Sequence, residues 1–563
     1  MKVLLIQPPI RDFYQTAIRT QPLGLAYLAA VLKAHGHSVE ILDCQTHKKT
    51  SIRLPVELSY LKDYYPVEDQ SPFKLYSGYY HFGMNWDEIS RRVEVSRADV
   101  FGISSSFTPY HAEALEVARI VKQGDIGRIV VMGGAHVSCD PQGVMESPLV
   151  DYVVLGEGEL RMPFLLNYIA KGGTTRIAEL DGIGYRADGR VWINPLKRFI
   201  KNLDELPLPA RELLDSDRYR IGKKRATMLI TSRGCPHGCA YCSAHLIMGG
   251  AFRERSPADI VQEMLACRQA HAIVAFDIED DNFTFDKERA RKLLNLIIDT
   301  FGEGNLQLTA MNGISYAALD GELLSLMKRA GFKTINLSFV SADPGIRESM
   351  QRPGTLSAFD VIVEEAAQIG LHTVAYAILG MPGQAVPDMT ETLISLMARR
   401  VLLGPSVYYP TPGTSLFELC RKGRMLPPAI AQWRASAFPI ETTDFERLDI
   451  VTLLRLSRVI NFIKGKLDED ELPEGITWKE LRGTLNEQGM AGDKGTCYAT
   501  YTGDKAPTWR DLLVLFIKER SFFSLCKDKS GTLSLNKLAS SRTVLDYFFT
   551  HAWDRPICKS RVV

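Results

Sequence analysis

TSRGCPHGCAYCSAH, residues 231–245, sets Cys235, Cys239 and Cys242 in a CxxxCxxC spacing directly after the apolar run TMLI at 227–230. Gly234, Pro236 and Gly238 break the strand there and open a loop on which three thiolates can converge. A structural zinc site favours four protein ligands, and no fourth Cys stands at matching spacing, whereas a 4Fe-4S cube held by three Cys keeps one iron open. On spacing, the alternative is a zinc site completed by His237 or His245.

Downstream of this loop the strand signals repeat. After TMLITSRG (227–234) come IVAFDIED (273–280), LQLTAMNG (306–313), TINLSFV (334–340), TVAYAILG (373–380) and PSVYYP (405–410), separated by helical runs such as 290–301. Six strand-and-helix units predict a partial (β/α)6 barrel over 191–437, linker included. Upstream, KVLLIQ (2–7) ends at Pro8 and Pro9, the periodic run 23–37 leads into SVEILD (38–43), and the alternation resumes with ADVFGISS, RIVVMGG and DYVVLGEGE. Five parallel strands with crossover helices predict a flavodoxin-like, doubly wound parallel sheet over 1–190. The insertion from Gln45 to Trp86 is dense in aromatics and reads as a packed lid. A hairpin-like stretch at 182–195 and the Pro-rich connector LDELPLPARELLD (203–215) join the two parts. Beyond Phe438 a mostly helical C-terminal domain is expected, with TWRDLLVLFIKERSFFSL (508–525) as an amphipathic run; Cys497, Cys526 and Cys558 read as ordinary thiols.

The chain has 563 residues, 45% hydrophobic and 24% charged, which excludes wholesale disorder. Lys plus Arg number 67 against 66 Asp plus Glu, a net charge of +1 that argues against a general nucleic-acid surface. No apolar stretch nears the ~18 residues of a membrane helix, and MKVLLIQPPIRD is no signal peptide, so a cytoplasmic protein outside the membrane is expected.

The CxxxCxxC with Tyr241 before its last Cys resembles the radical SAM superfamily. The resemblance implies that the open iron chelates the amino and carboxylate groups of S-adenosylmethionine (SAM), and that one electron cleaves SAM to methionine and a 5′-deoxyadenosyl radical. It implies a cluster loop at the C-terminal edge of the first barrel strand. It gives Asp280 and Asp281, in IEDDNFTFD, as candidates for the methionyl ammonium, while Asp286 reads as a helix cap. Gly380 and Gly383, in AILGMPGQ, match the stretch beside the adenine. Where many relatives carry a Glu after the fourth strand, this chain reads SFVSAD, with Ser341 near that place.

The first domain resembles corrinoid-binding domains, whose pattern is DxHxxG, SxL and GG. Ser105, Ser106 and Phe107 precede Gly133 and Gly134 at the right interval, and Asp12 is in register in DFYQTA, but Tyr14 stands where the histidine belongs. His111 and His136, on strand-end loops, are the histidines placed to replace it. With Glu157 in the GEGE stretch at 156–159, about residues 1 to 430 resemble the cobalamin-dependent radical SAM family. The family implies a methyltransferase acting on an unactivated carbon through the deoxyadenosyl radical and methylcobalamin, on a small-molecule, natural-product or lipid substrate, with an external electron donor such as flavodoxin or ferredoxin. A radical cyclase or carbon-skeleton enzyme using cobalamin is the alternative. A corrinoid carrier or sensor with a structural cluster is a reading from another class.

Overall fold

The computed structural model describes residues 1–14, 21–66, 68–76, 78–172, 176–487, 507–527 and 533–561. Its first sheet contains β1 (Lys2–Gln7), β2 (Ser38–Asp43), β3 (Val100–Ser104), β4 (Ile129–Gly133) and β5 (Tyr152–Val154). These five run parallel in the spatial order β2, β1, β3, β4, β5, the flavodoxin-like order. Period-two alternation explains the two-sided burial: Val3 and Leu5 pack on the face of helix α1 (Leu23–Ala34), and Leu4 and Ile6 on the opposite face. The stretch at 182–195 folds as an antiparallel hairpin, β6 (Ile183–Ala187) and β7 (Arg190–Ile193), and β6 pairs with β5, so residue 190 is the first of the sheet's edge strand.

Six parallel strands follow: β8 (Lys224–Leu229), β9 (Ala275–Ile278), β10 (Gln307–Thr309), β11 (Thr334–Val340), β12 (His372–Leu379) and β13 (Leu402–Val407). β8 to β10 form one ladder and β11 to β13 another. Among the described residues only the isolated bridges Leu308 to Phe332 and Ile314 to Leu337 join them, so the barrel is partial, as expected. The outer edge of β13 is sealed by Asn461 of the long helix Arg447–Asp468, which donates to Leu403 O at 2.7 Å and accepts from Leu403 N–H at 3.0 Å.

Two features differ from the sequence reading. The amphipathic run 508–525 is helical only over Trp509–Glu519; Arg520 then adopts a left-handed conformation and Phe523–Lys527 pairs with Leu533–Lys537 as a hairpin in the otherwise helical C-terminal part. The polar crossover helix Trp86–Ser96, capped by Asn85, escaped notice because its apolar stripe is narrow. The insertion is packed, as expected: Lys49–Ser51 and Tyr80–Phe82 form a small sheet with Ile10–Asp12, and its tyrosines reach residues just before the C-terminal part. Tyr60 donates to Ala437 O at 2.7 Å and Tyr65 to Ser436 O at 2.6 Å. Cys497 lies outside the described residues. Among those residues no helix is long and apolar enough to cross a membrane.

Candidate active site

Beyond β8 the chain enters the cysteine loop under tight constraint. Gly234 has φ +83°, and a Cβ there would lie 2.3 Å from Ala251 O, so only glycine fits. Inside the loop Cys242 N–H donates to Cys239 O at 3.0 Å and Ala240 N–H to Met350 O at 3.2 Å. Cys239 is buried, while Cys235 and Cys242 are half-buried. Asn282 donates to Cys235 Sγ at 3.8 Å and Cys239 Sγ meets Gln351 O at 3.7 Å. Burial, then the neighbouring Cys239, Asp281 and Cys235, push the Cys242 thiol up to about 11. Among the described residues no three His, Cys, Asp or Glu side chains are spaced to hold a single metal ion. A cube of four irons takes each thiolate on a separate iron, so three neighbouring thiols on one loop fit that group by their chemistry.

The acidic candidates divide in role. Asp280 is buried and its carboxylate is engaged: it accepts from Thr231 N–H at 2.6 Å, from Ser232 Oγ at 2.6 Å and from Thr231 Oγ1. It braces the base of the cysteine loop. Asp281 is exposed and accepts from Gly234 N–H at 2.9 Å. Asp286 caps its helix by accepting from Arg289 N–H, as expected. Gly380 (φ +79°) and Gly383 (φ +91°) sit in the turn after β12, which Gln384 holds by accepting from Met381 N–H at 2.8 Å and donating to Ile378 O at 3.0 Å. A Cβ on Gly383 would meet nothing within 4 Å, so its surface is open. Ser341 turns into the core, fully buried, beside Thr392. Just before it, Val340 takes φ +71°, a strained conformation for a β-branched residue.

Sequence reasoning missed two groups here. Arg352 follows β11 and lies near Tyr241 and His237; its Nε is buried without a partner and its guanidinium makes no ion pair among the described residues. Asp277 and Glu279 share one face of the β9 edge, where Asp277 accepts from Thr309 Oγ1 at 2.7 Å and burial with Asp277 alongside raises the Glu279 carboxyl. Strand alternation could have flagged the pair.

Two cavities lie between this loop and the first sheet. One, of about 320 Å³, runs beside the strands and is lined by Leu5, Gly102, Val131 and Val154, with Glu157 and Arg233 at its end. Small and apolar side chains leave room there for a bulky planar group, as a corrinoid's nucleotide tail needs. The second, of about 460 Å³, has Tyr14, Phe107 and His136 on the sheet side and Ser243, Tyr409 and Thr411 on the barrel side. Ser106, Phe107 and Ala135 line both. The motif elements are in contact: Gly134 has φ +115°, and a Cβ on it would lie 2.7 Å from Ser105 O. Gly133 lines the first cavity beside it. Ser105 is buried and bonds His111 Nδ1 at 3.0 Å. Asp12 borders the second cavity with its carboxylate engaged by Tyr110 OH (2.7 Å), Ser436 Oγ (2.8 Å) and Arg434 (3.4 Å). Tyr14 stays 37% exposed at the cavity, free to face a ligand.

His111 and His136 are buried with ring centroids 4.5 Å apart, and Thr108 Oγ1 bonds His136 Nδ1 at 3.1 Å. Burial, and for His111 also its neighbour, depresses His111 to about 3 and His136 to about 4. An unfolded histidine titrates near 6.5, so below that pH the unfolded chain binds protons that the fold refuses. Stability therefore falls as pH falls, by up to about 1.4 kcal/mol per pH unit for each ring. Between pH 6.5 and 4, His136→Asn should flatten the acid drop of the unfolding midpoint; an unchanged slope refutes the assignment.

Fold and site together define an open α/β sheet whose C-terminal edge faces the three-cysteine loop of a partial barrel. Known proteins share both halves: the radical SAM superfamily matches residues 229–396 and the B12 binding domain residues 77–166. The cytidylyl-2-hydroxyethylphosphonate methyltransferase of Streptomyces wedmorensis is 30% identical over 433 residues, 69% of this chain and 75% of that protein. An uncharacterized methyltransferase of Pyrococcus horikoshii is 27% identical over 477 residues, 83% and 94% of the two chains. In fold, the radical SAM methyltransferase TsrM from Kitasatospora setae, solved with cobalamin and a [4Fe-4S] cluster, superposes with a TM-score of 0.57 at 20% identity, covering 75% of this chain and 78% of that one. The chain belongs to the cobalamin-dependent radical SAM enzymes.

Proposed function

We propose that this enzyme transfers a methyl group to an unactivated carbon of a small molecule. The observation that carries the reading is the shared chamber: Ser106, Phe107 and Ala135 join the cavity beside the sheet to one that reaches Ser243, the residue after Cys242. A group bound along the sheet thus faces whatever binds at the cysteine loop, which is the juxtaposition that successive hydrogen abstraction and methyl delivery require. When bound, the cluster supplies the electron that cleaves SAM and the corrinoid supplies the methyl group.

The chain's own residues hold and orient. Cys235, Cys239 and Cys242 are the ligands we assign to the cluster, with Asp280 fixing the loop that carries them. Tyr241 packs beside them, Asp281 and the turn of Gly380 and Gly383 border the SAM site, and the unpaired Arg352 is the cation available to its carboxylate. Gly133, Gly134, Ser105, Ser106 and Glu157 shape the corrinoid site, with Asp12 and Tyr14 at its rim. The working units are 1–190, 191–437 and 438–563. An external donor such as flavodoxin or ferredoxin and a cytoplasmic setting complete the proposal. Anaerobic turnover of candidate substrates with SAM labelled at its methyl carbon tests it, since label must appear in the product.

Because Tyr14 replaces the histidine of the first loop, cob(II)alamin on this enzyme should show no nitrogen superhyperfine splitting by electron paramagnetic resonance. Splitting that disappears in His136→Ala would assign the lower ligand to His136 and reverse this expectation.

A further inference from the structure

Arg233 immediately precedes Gly234 and the cluster cysteines and is 4% exposed. Its guanidinium forks between two carboxylates of the first domain, donating to Glu157 Oε1 at 2.9 Å and Glu159 Oε1 at 2.7 Å. Glu157 is 1% exposed and also accepts from Arg253 at 2.9 and 3.0 Å and from Ile200 N–H at 2.8 Å. Arg253 belongs to the strand that pairs antiparallel with Ser232–Arg233, so both cations rise from one small hairpin at the root of the cysteine loop. Two guanidinium charges meet two carboxylate charges, and the buried group is balanced. On the other side Gly156, at the start of GEGE, abuts the helix that follows the cysteines: a Cβ there would lie 3.1 Å from Ile247 O. Glu157, Glu159 and Arg233 themselves line the cavity beside the sheet.

We infer that the Glu157–Glu159–Arg233–Arg253 clamp is a positioning device, holding the corrinoid domain and the cysteine loop in one fixed register so that methyl donor and radical source act on the same substrate atom. It rests on the reading that the cavity beside the sheet takes the corrinoid's nucleotide tail. A planar fork is needed because one residue must satisfy two carboxylates at once, which an ammonium on a flexible stem does with less directional constraint. An error of about 1 Å in placing reacting groups costs on the order of a hundredfold in rate. The clamp acts on transfer and leaves SAM cleavage at the cluster standing.

The test uses the full chain loaded with cobalamin and a reconstituted cluster. In the parent enzyme, pulsed dipolar electron paramagnetic resonance between cob(II)alamin and the reduced cluster should give a narrow distance distribution. Arg233→Lys, which keeps the charge and loses the fork, should broaden or shift it, and the ratio of 5′-deoxyadenosine to methylated product should rise about tenfold. Glu159→Gln removes one arm only and should give a smaller change of both readouts, which keeps the test open if Arg233→Lys fails to fold. An unchanged distance with both nucleosides falling in proportion would overturn the positioning role. A parent chain that retains the cluster and no cobalamin would overturn the reading of the cavity on which the role rests.

Discussion

Exchange of Cys235, Cys239 or Cys242 for Ala is expected to abolish formation of 5′-deoxyadenosine and to lower the iron of the anaerobically reconstituted protein. Three thiolates are the minimum set that holds the cube, and the groups that meet Cys235 and Cys239, the Asn282 amide and the Gln351 carbonyl, are weak iron ligands. Asp281, an acid beside the loop, already accepts from Gly234 N–H. The loss is therefore expected to be complete for each single exchange. Iron and sulfide analysis with chromatography of the nucleosides checks it, and a triple Ala variant that kept a full complement of four irons would refute the assignment.

Turnover with the true substrate is expected to yield S-adenosylhomocysteine and 5′-deoxyadenosine in near equal amounts, with one methyl group on the product. An unactivated carbon has no lone pair to attack the sulfonium methyl, so it must first lose a hydrogen atom to the deoxyadenosyl radical, which consumes one SAM. Restoring the methyl group that the carbon radical then takes consumes a second. Ring closure needs only the first, so deoxyadenosine rising without S-adenosylhomocysteine would move the enzyme to the cyclase reading. Methyl-labelled SAM and mass spectrometry of both nucleosides separate the cases.

The two central folds were legible because their signals are local. KVLLIQ, SVEILD and RIVVMGG are apolar runs bounded by turns, and CxxxCxxC is a spacing that little else produces. What stayed hidden is set by contacts between distant segments. Asp280 reads in sequence as a ligand candidate, yet three hydrogen bonds to Thr231 and Ser232 turn it into a brace. Glu157 reads as a corrinoid contact, and only the fold brings Arg233 and Arg253 to it. The end of the run 508–525 became a strand because its partner, Leu533–Lys537, lies beyond the window in which helical periodicity is judged.

Tyr65 hydrogen-bonds to Ser436 across 371 positions of sequence, and Asp12 to the same residue across 424. Contacts this remote close late when a chain emerges from its N-terminus at a few residues per second, and domains fold largely as units as they appear. The first sheet needs nothing beyond Ile193 for its strands, so it can assemble long before Ser436 exists to fasten the insertion and to line the second cavity. During synthesis there is thus an interval in which the C-terminal edge of the sheet is complete and uncovered. A cofactor as large as a corrinoid has its widest access to its bed in that interval, before the barrel encloses it.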